Sequence, residues 1–356
     1  MRKKLLIVSP EQFGYQSDHY YYCKYLKAHF DIDFICFDKA HPIIQEENVN
    51  VIYRNFNKDK IQRLLSFIWF AIKKTKEKDY DAFLTDYFKM VFFIGLFGKC
   101  KLKILDIKTG SLIDNLFIRW ISNKIIWFST LFFDKVSTLS ANIAALLKLN
   151  SEKTFIVPLG AVVLDGTSKC FDKIHLVYIG TLHKRCIEQT IVGFSRFYSM
   201  YAGKVSLKYD IVGFSHIKDD EEKIKSAVSK NNLNEIVIFH GRKNHQQLKE
   251  YIQNATVGVC FVPQTPYYDV QPPTKIFEYA LSGLITVATD TSENRRFITD
   301  VNGVICKDNA DSFCEALETV YAHLDKYNDR QIRESLGEYN WKNIVTNILL
   351  PTLLEK

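Results

Sequence analysis

The 356-residue chain lacks most of the features that mark a function at first sight. Its 8 cysteines include no C-x-x-C pair and no histidine at zinc-ligand spacing, which excludes the common structural zinc sites. Several sit in apolar runs, where a free thiol behaves as a small hydrophobe, so the chain reads as a reduced, cytoplasmic protein. With 15 Gly and 8 Pro, it is neither collagen-like nor a linker. Neither G-x-G-x-x-G nor a nucleophile elbow occurs. That removes the dinucleotide fingerprint, and it leaves a Ser/His/Asp triad built on His19 without support. Long apolar runs are missing as well. MRKKLLIVSP offers four consecutive apolar residues, too few for a signal-peptide core and enough for a first strand. Residues 90–98 make about half a spanning helix, and residues 112–133 are interrupted by Asp114, Arg119 and Lys124.

What is present is apolar and basic. Hydrophobic residues make up 47% of the chain, enough to offset the entropy of ordering it, so disorder is excluded. A chain this long exceeds one core, and two domains are expected. The formal net charge is +7, and residues 1–165 carry all of it, with 24 Lys and Arg against 17 Asp and Glu. The remainder holds 23 of each. A bias confined to one half points to an anionic partner for that half.

Apolar runs alternate with helical-period segments, and the alternation occurs twice. LLIVS, DIDFICF, VNVIYR, DAFLTD, KILDIK, KVSTLS and TFIVPLG read as strands of the first half. IHLVYIG, VSLKYDIVG, IVIFHG, VGVCFVP and LITVATD read as strands of the second. Continuous apolar strands alternating with helices predict parallel sheets covered on both faces. The fold class expected is therefore α/β, with two Rossmann-like, doubly wound domains facing a cleft. The polar stretch 164–173 serves as linker. The domains expected are 1–165, 166–335, and a C-terminal helix over 336–356 that crosses back to the first domain or stays on the second.

The strongest chemical signal is FVPQTPYYDVQPPTKIFEYALSGLITVATD. Pro272 and Pro273 fix the start of a helix, and Thr274 can cap its exposed N–H groups. A helix N-terminus at the end of an apolar strand is an anion site. Lys275 adds a cation in the first turn, where it is unfavourable for the helix itself, which marks it as functional. Glu278 lies one turn on, on the same face, placed to accept bonds from the hydroxyls of a ribose. The plainer reading is a solvated Lys–Glu pair, but the rest of the helix is apolar.

PPTKIFEYALSGLITVATD resembles the donor-site signature of the GT-B glycosyltransferases of family 4, the glycosyl transferases group 1 domain. VYIGTLHKR, FHGRKNHQQLKEYIQNATVGVCFVP and ENRRFITDVNGVICKDNADSFCEAL fall in matching order. The first half matches more loosely, at KILDIKTGS and VSTLSANIAALL. The branch resembled builds bacterial capsule, exopolysaccharide or lipopolysaccharide. The resemblance implies a GT-B fold and a nucleotide-sugar donor, with retention at the anomeric carbon. Two glutamates separated by seven residues hold the donor in that family. Glu278 matches the second, whereas the first position is Val270, with Asp269 beside it. Lys184 or Arg185, after the turn at Gly180, match the diphosphate cations. Thr181 stands where the family usually has Arg. Arg242 matches a position near the base or diphosphate and reads equally as a surface residue. Glu293 and Asn294 face the cleft or cap a short helix.

Charge that develops on the departing phosphate is met by cations and helix N–H groups, so no metal or other cofactor is expected. The Asp31-Ile32-Asp33 alternation heads a strand and reads as chance rather than as a metal motif. In the first half, Gly14 lets the backbone approach a phosphate or sugar. Asp106 ends a strand beside Lys108 and is the first candidate to orient acceptor or sugar. Trp120 and Trp127, with Arg119, Lys124 and Lys135, form either an interfacial amphipathic helix or a buried helix with a basic edge. The helix over 58–78 adds positive charge facing anionic lipid. The reading is a cytoplasmic, membrane-peripheral glycosyltransferase. Its partners are a nucleotide sugar, a lipid-linked or growing glycan acceptor and an anionic membrane surface, with no nucleic acid. The alternatives are a GT-B nucleotide-sugar epimerase and a non-catalytic nucleotide-sugar-binding protein. The expected catalytic residues are Asp106, Lys184 and Lys275. Those expected at the donor are Gly14, Gly180, Thr181, Arg185, Arg242, Pro273, Thr274 and Glu278.

Overall fold

A computed structural model describes residues 2–55, 59–113, 115–272 and 274–355. Lys58, Asp114 and Pro273 lie outside them. The chain forms two compact units, Met1–Leu159 with Trp341–Lys356, and Gly160–Asn340.

In the first unit β1 (Lys3–Val8), α1 (Ser17–Leu26), β2 (Phe30–Asp38), β3 (Val49–Asn55), α2 (Lys60–Glu77), β4 (Ala82–Asp86) and α3 (Phe92–Phe97) follow in order. β5 (Leu102–Ile107), α4 (Leu116–Thr130), β6 (Lys135–Thr138), α5 (Ala141–Leu147) and β7 (Thr154–Ile156) complete it. The strands make one parallel sheet in the order β3-β2-β1-β4-β5-β6-β7. β4 is buried at every residue and β1 over Leu5–Val8, as central strands covered on both faces must be. Strand order reverses between β1 and β4. Right-handed crossovers therefore put α1 on one face and α2 to α5 on the other. Phe67, Ile68 and Ala71 of α2, Ile94 of α3, Ile126 of α4 and Ile143 of α5 share one core with Leu6, Val8, Leu105 and Val136. Asn115 caps α4 by accepting from the amides of Phe117 and Ile118, and Ser140 caps α5 through Ile143.

The second unit runs β8 (Lys173–Thr181), α6 (Ile187–Tyr201), β9 (Ser206–Phe214), α7 (Lys218–Lys230), β10 (Val237–Gly241), α8 (His245–Asn254) and β11 (Val257–Cys260). It continues through α9 (Pro266–Asp269), α10 (Thr274–Leu281), β12 (Ile285–Thr289), β13 (Gly303–Cys306), α11 (Ala310–Ala322) and α12 (Asp329–Ser335). Its six parallel strands lie in the order β10-β9-β8-β11-β12-β13, reversing between β8 and β11. Both units are doubly wound, as the strand–helix alternation predicts.

The chain then returns to the first unit as α13 (Trp341–Ile344), a π-helical turn (Val345–Leu349) and α14 (Leu350–Leu354). The π turn precedes Pro351, which has no N–H to continue an α-helical ladder. Trp341 is buried, stacks on Tyr21 at 5.6 Å and meets Tyr22 edge-on at 6.0 Å. Lys3 Nζ donates to the Leu354 carbonyl at 3.2 Å, and Lys135 pairs with Glu355.

Candidate functional site

In doubly wound sheets ligands bind beyond the carboxyl ends of the strands where the order reverses. In the second unit that point lies between β8 and β11. β8 ends at Gly180 and Thr181. The Tyr178 hydroxyl donates to the Thr181 carbonyl at 2.6 Å, and a Cβ on Gly180 would lie 3.0 Å from the Tyr178 hydroxyl oxygen. The loop that follows holds Lys184 and Cys186 in the left-handed region, at φ +56° and +53°, which is costly for residues with a side chain. The loop is clasped to α9. The Tyr268 hydroxyl donates to the Lys184 carbonyl at 3.4 Å, and the Arg185 guanidinium lies 4.7 Å from the Tyr268 ring centroid. α9 is itself fixed by Pro266 at its start and by the Thr265 cap, which accepts from the Tyr268 amide at 3.3 Å.

α10 begins at Thr274 and is pinned by Tyr279. The buried Tyr279 hydroxyl accepts from the Ile179 amide of β8 at 3.0 Å and donates to the Val259 carbonyl of β11 at 3.5 Å. Its ring fits because β11 has Gly258 there, where a Cβ would fall 2.3 Å from the ring. Lys275 and Glu278, both half-buried, form a close ion pair on the next face. Burial pushes the Cys260 thiol at the end of β11 up to about 12, Arg185 and Lys275 oppose that rise, and Glu278 adds to it. The charged groups on this edge are the Lys275–Glu278 pair in the first turn of α10 and Arg185 in the loop clasped to α9. Two cations and a carboxylate there suit a diphosphate and a polyhydroxylated group.

The structure places the remaining residues of the second unit as follows. Arg242 is exposed after β10, with its guanidinium 4.6 Å from the Phe214 ring centroid at the end of β9. Pro273 lies outside the described residues. Asp269 is bonded to Ser292, whose amide and hydroxyl both donate to it at 2.8 Å. Glu293 and Asn294 are buried. Glu293 pairs with Arg296 at 3.0 Å, and Asn294 donates to the Thr289 carbonyl at 2.7 Å, so they brace the loop after β12. Tyr268, Tyr279 and Gly258 escaped sequence reasoning, although a lone glycine inside an apolar strand signals a close approach.

In the first unit Gly14, at φ +87°, packs where a Cβ would lie 2.5 Å from Ile44 Cδ1. That contact and the backbone already require glycine. Asp106 is buried at the end of β5. It accepts from Ser137 at 2.8 Å and pairs with Lys108 at 2.5 Å. Lys108 also pairs with Asp18 at 2.7 Å and donates to the Tyr22 hydroxyl at 3.1 Å. His19 lies 3.1 Å from Asp86 at the end of β4, and the Ser9 hydroxyl donates to Asp86 at 2.8 Å. A charged cluster therefore fills the carboxyl edge between β1, β4 and β5. Ligand atoms of His19, Asp86 and Asp106 lie within 4.8 Å of one another. The Lys108 ammonium, seated on Asp106 and Asp18, supplies a cation there.

Burial raises the Asp18 carboxyl, but Lys108 and His19 outweigh it and pull it down to about 2. Burial lowers the His19 imidazole, yet Asp86 and Asp18 turn the net shift upward. Burial, Asp86 and Asp18 raise Asp106 against the pull of Lys108. Asp106 is buried, and its ion-pair partner Lys108 is half-buried. Asp18, His19 and Asp86 went unassigned in the sequence. The readable signal was that DAFLTD and KILDIK both carry an aspartate at the end of an apolar run, which adjacent parallel strands bring together.

Residues 173–323 match the family model for glycosyl transferases group 1. No curated relative matches in sequence. Among solved structures the chain is similar to sucrose-phosphate synthase from Thermosynechococcus elongatus, with TM-score 0.73 and 16% identity over 99% of this chain and 98% of that one. It is also similar to Anabaena Alr3699/HepE in complex with UDP, with TM-score 0.75 and 12% identity over 98% and 99%. A third is the lipopolysaccharide outer core galactosyltransferase WaaB, with TM-score 0.68 and 13% identity over 98% and 99%. These likenesses establish the GT-B fold.

Proposed function

We propose that this chain, a glycosyltransferase of the GT-B fold, moves a sugar from a nucleoside diphosphate sugar to a lipid-linked or growing glycan acceptor in surface-polysaccharide synthesis. The observation that carries the donor assignment is the Lys275–Glu278 pair at the start of α10, together with the Lys184–Arg185 loop that follows β8 and is held to α9 by Tyr268. The bond from the anomeric carbon to the diphosphate oxygen breaks, the acceptor hydroxyl oxygen forms the new bond and gives up its proton to solvent, and the nucleoside diphosphate leaves with an added negative charge. Lys184, Arg185, Lys275 and the start of α10 stabilise that charge without a metal. Glu278 accepts from the ribose, and Arg242 reaches the base or diphosphate. Retention at the anomeric carbon follows from the family resembled. HepE in complex with UDP and with UDP-glucose supports this class of donor, and WaaB supports the surface-polysaccharide setting. The basic first unit takes the acceptor, with Asp106 positioning Lys108, and meets an anionic membrane surface on the cytoplasmic side.

The test is release of nucleoside diphosphate from a panel of nucleotide sugars, with and without a lipid-diphosphate acceptor and with a chelator present. Acceptor-dependent release from one donor, unchanged by the chelator, is expected, with a product of retained configuration by NMR. Binding without release from any donor would sink the transferase reading. Conversion of the free nucleotide sugar without acceptor would replace it with epimerisation.

A further inference from the structure

The outer face of one helix layer remains unexplained by the donor chemistry. Among the described residues, 24 large hydrophobic side chains are exposed, and 17 of them lie between residues 61 and 146 of the first unit. The second unit, of similar size, exposes four, scattered at Val163, Met200, Ile217 and Val301. Scattered exposure is ordinary, whereas a contiguous apolar patch marks an interaction surface.

The fold explains the concentration. α2, α3, α4 and α5 cover the same face of the sheet, bury one core between them and neighbour one another in that order. Their outward sides form a single surface. α4 is apolar almost all round, yet only Ile126, Ser129 and Thr130 are buried. Such a helix ordinarily belongs in an interior. Phe117 and Trp120 are 68% and 58% exposed. α2 contributes Ile61 and Trp69, each 72% exposed, and α3 adds Phe97. Three of the chain's four tryptophans, Trp69, Trp120 and Trp127, stand on this face, and the fourth, Trp341, is buried in the core.

The charges select the occupant. The four helices carry seven Lys and Arg and one acidic residue, Glu77, which pairs with Lys74 at 2.5 Å. The Lys124 ammonium lies 5.8 Å from the Trp120 ring centroid and 5.7 Å from that of Trp127, an apolar body with a cationic rim. A second copy docking face to face would set cations against cations. Among the described residues no helix is long and apolar enough to cross a membrane. Apolar side chains to insert, tryptophan at the boundary and cations around them suit the interface of an anionic bilayer.

We infer that the combined outer face of α2, α3 and α4, rather than α4 alone, is the surface on which the first unit lies flat on anionic lipid. This rests on the lipid-linked acceptor proposed above. It adds Ile61, Trp69 and Phe97 to the docking surface, beside the basic residues of α2.

The test uses the full chain with vesicles of phosphatidylcholine alone or mixed with phosphatidylglycerol. Flotation is expected with the mixed vesicles and not with phosphatidylcholine, weakening with salt. Ile61→Glu with Trp69→Glu on α2 should reduce partitioning about tenfold or more, as should Trp120→Glu with Trp127→Glu on α4. Variants retaining Trp69 alone should be quenched by brominated lipid, and those retaining Trp341 alone should not. No flotation on the mixed vesicles overturns the inference. So does an unquenched Trp69, or a dimer by light scattering that the same substitutions dissolve. Donor release with a water-soluble acceptor keeps the readings apart. Release without flotation removes the docking face alone, and flotation without release removes the transferase assignment.

Discussion

Glu278 and Lys275 form the kind of pair that covers most helix surfaces, and the two readings of that pair predict different losses. A solvated i,i+3 pair is worth a few tenths of a kcal/mol. A carboxylate that accepts from ribose hydroxyls is worth more to the ligand. Glu278→Ala should therefore change thermal stability by less than about 0.5 kcal/mol, yet weaken nucleoside diphosphate binding by about 1–3 kcal/mol in a calorimetric titration. Unchanged affinity would return the pair to plain surface chemistry. The cations are tested together, because Lys184 and Arg185 share one loop and either could cover for the other. Lys184→Ala with Arg185→Ala should lower turnover by about 10²–10³ while leaving the unfolding midpoint close to wild type. Persisting turnover would move the diphosphate elsewhere on the sheet edge.

At the scale of elements, α10 matters through its seating. Tyr279 ties it to β8 and β11 with one hydroxyl. Tyr279→Phe keeps the ring against Gly258 and leaves the Ile179 amide without that acceptor, a loss of about 1–3 kcal/mol readable as a lower unfolding midpoint that bound nucleotide partly restores. The charged cluster between β1, β4 and β5 makes a pH prediction. Imidazolium at His19 is favoured by Asp86 and Asp18 against burial and Lys108, with Asp106 and Tyr22 also facing the cluster. Its folded-state pKa lies above the unfolded one. Its contribution is complete below about pH 6.5 and disappears as pH rises through the folded value. Asp106, also raised, acts in the same direction. Asp18, pulled down to about 2, contributes above its unfolded value and loses that contribution as pH falls. The first unit should lose stability as pH rises above about 6.5, and His19→Gln should flatten that slope in denaturant titrations. An unchanged slope would assign it to other groups.

The strands were legible because buried parallel strands are continuous apolar runs, and α10 was legible because its motif is contiguous. The Tyr268 clasp, the Asp269–Ser292 contact and the His19–Asp86 pair were not, since each joins residues far apart in sequence through a tertiary path. The exposed side of α4 was ambiguous for another reason. An apolar helix reads alike whether protein or lipid covers it, and only the buried seam at Ile126, Ser129 and Thr130 separates the two.

For the whole molecule, the division of charge has a counterpart in the division of the chain. The basic unit is closed by residues that follow the whole of the other, so Gly160–Asn340 is an insertion within the first. Trp341 is the residue through which that closure is made, buried against Tyr21 and Tyr22 of α1. Trp341→Ala removes a large buried ring at a cost of about 3–5 kcal/mol, all of it borne by the first unit, because α13 and α14 pack there. The second unit keeps its own sheet and the residues Arg185, Lys275 and Glu278. Two measurements on the same variant separate the units. Nucleoside diphosphate affinity should stay within about twofold of wild type, while the loss of α1 packing appears as rapid amide exchange across β1 and α1. If the substitution weakened nucleotide binding as strongly as it loosened the first unit, the two would fold as a single cooperative body, and the terminal helices would serve the donor site as well as the basic face.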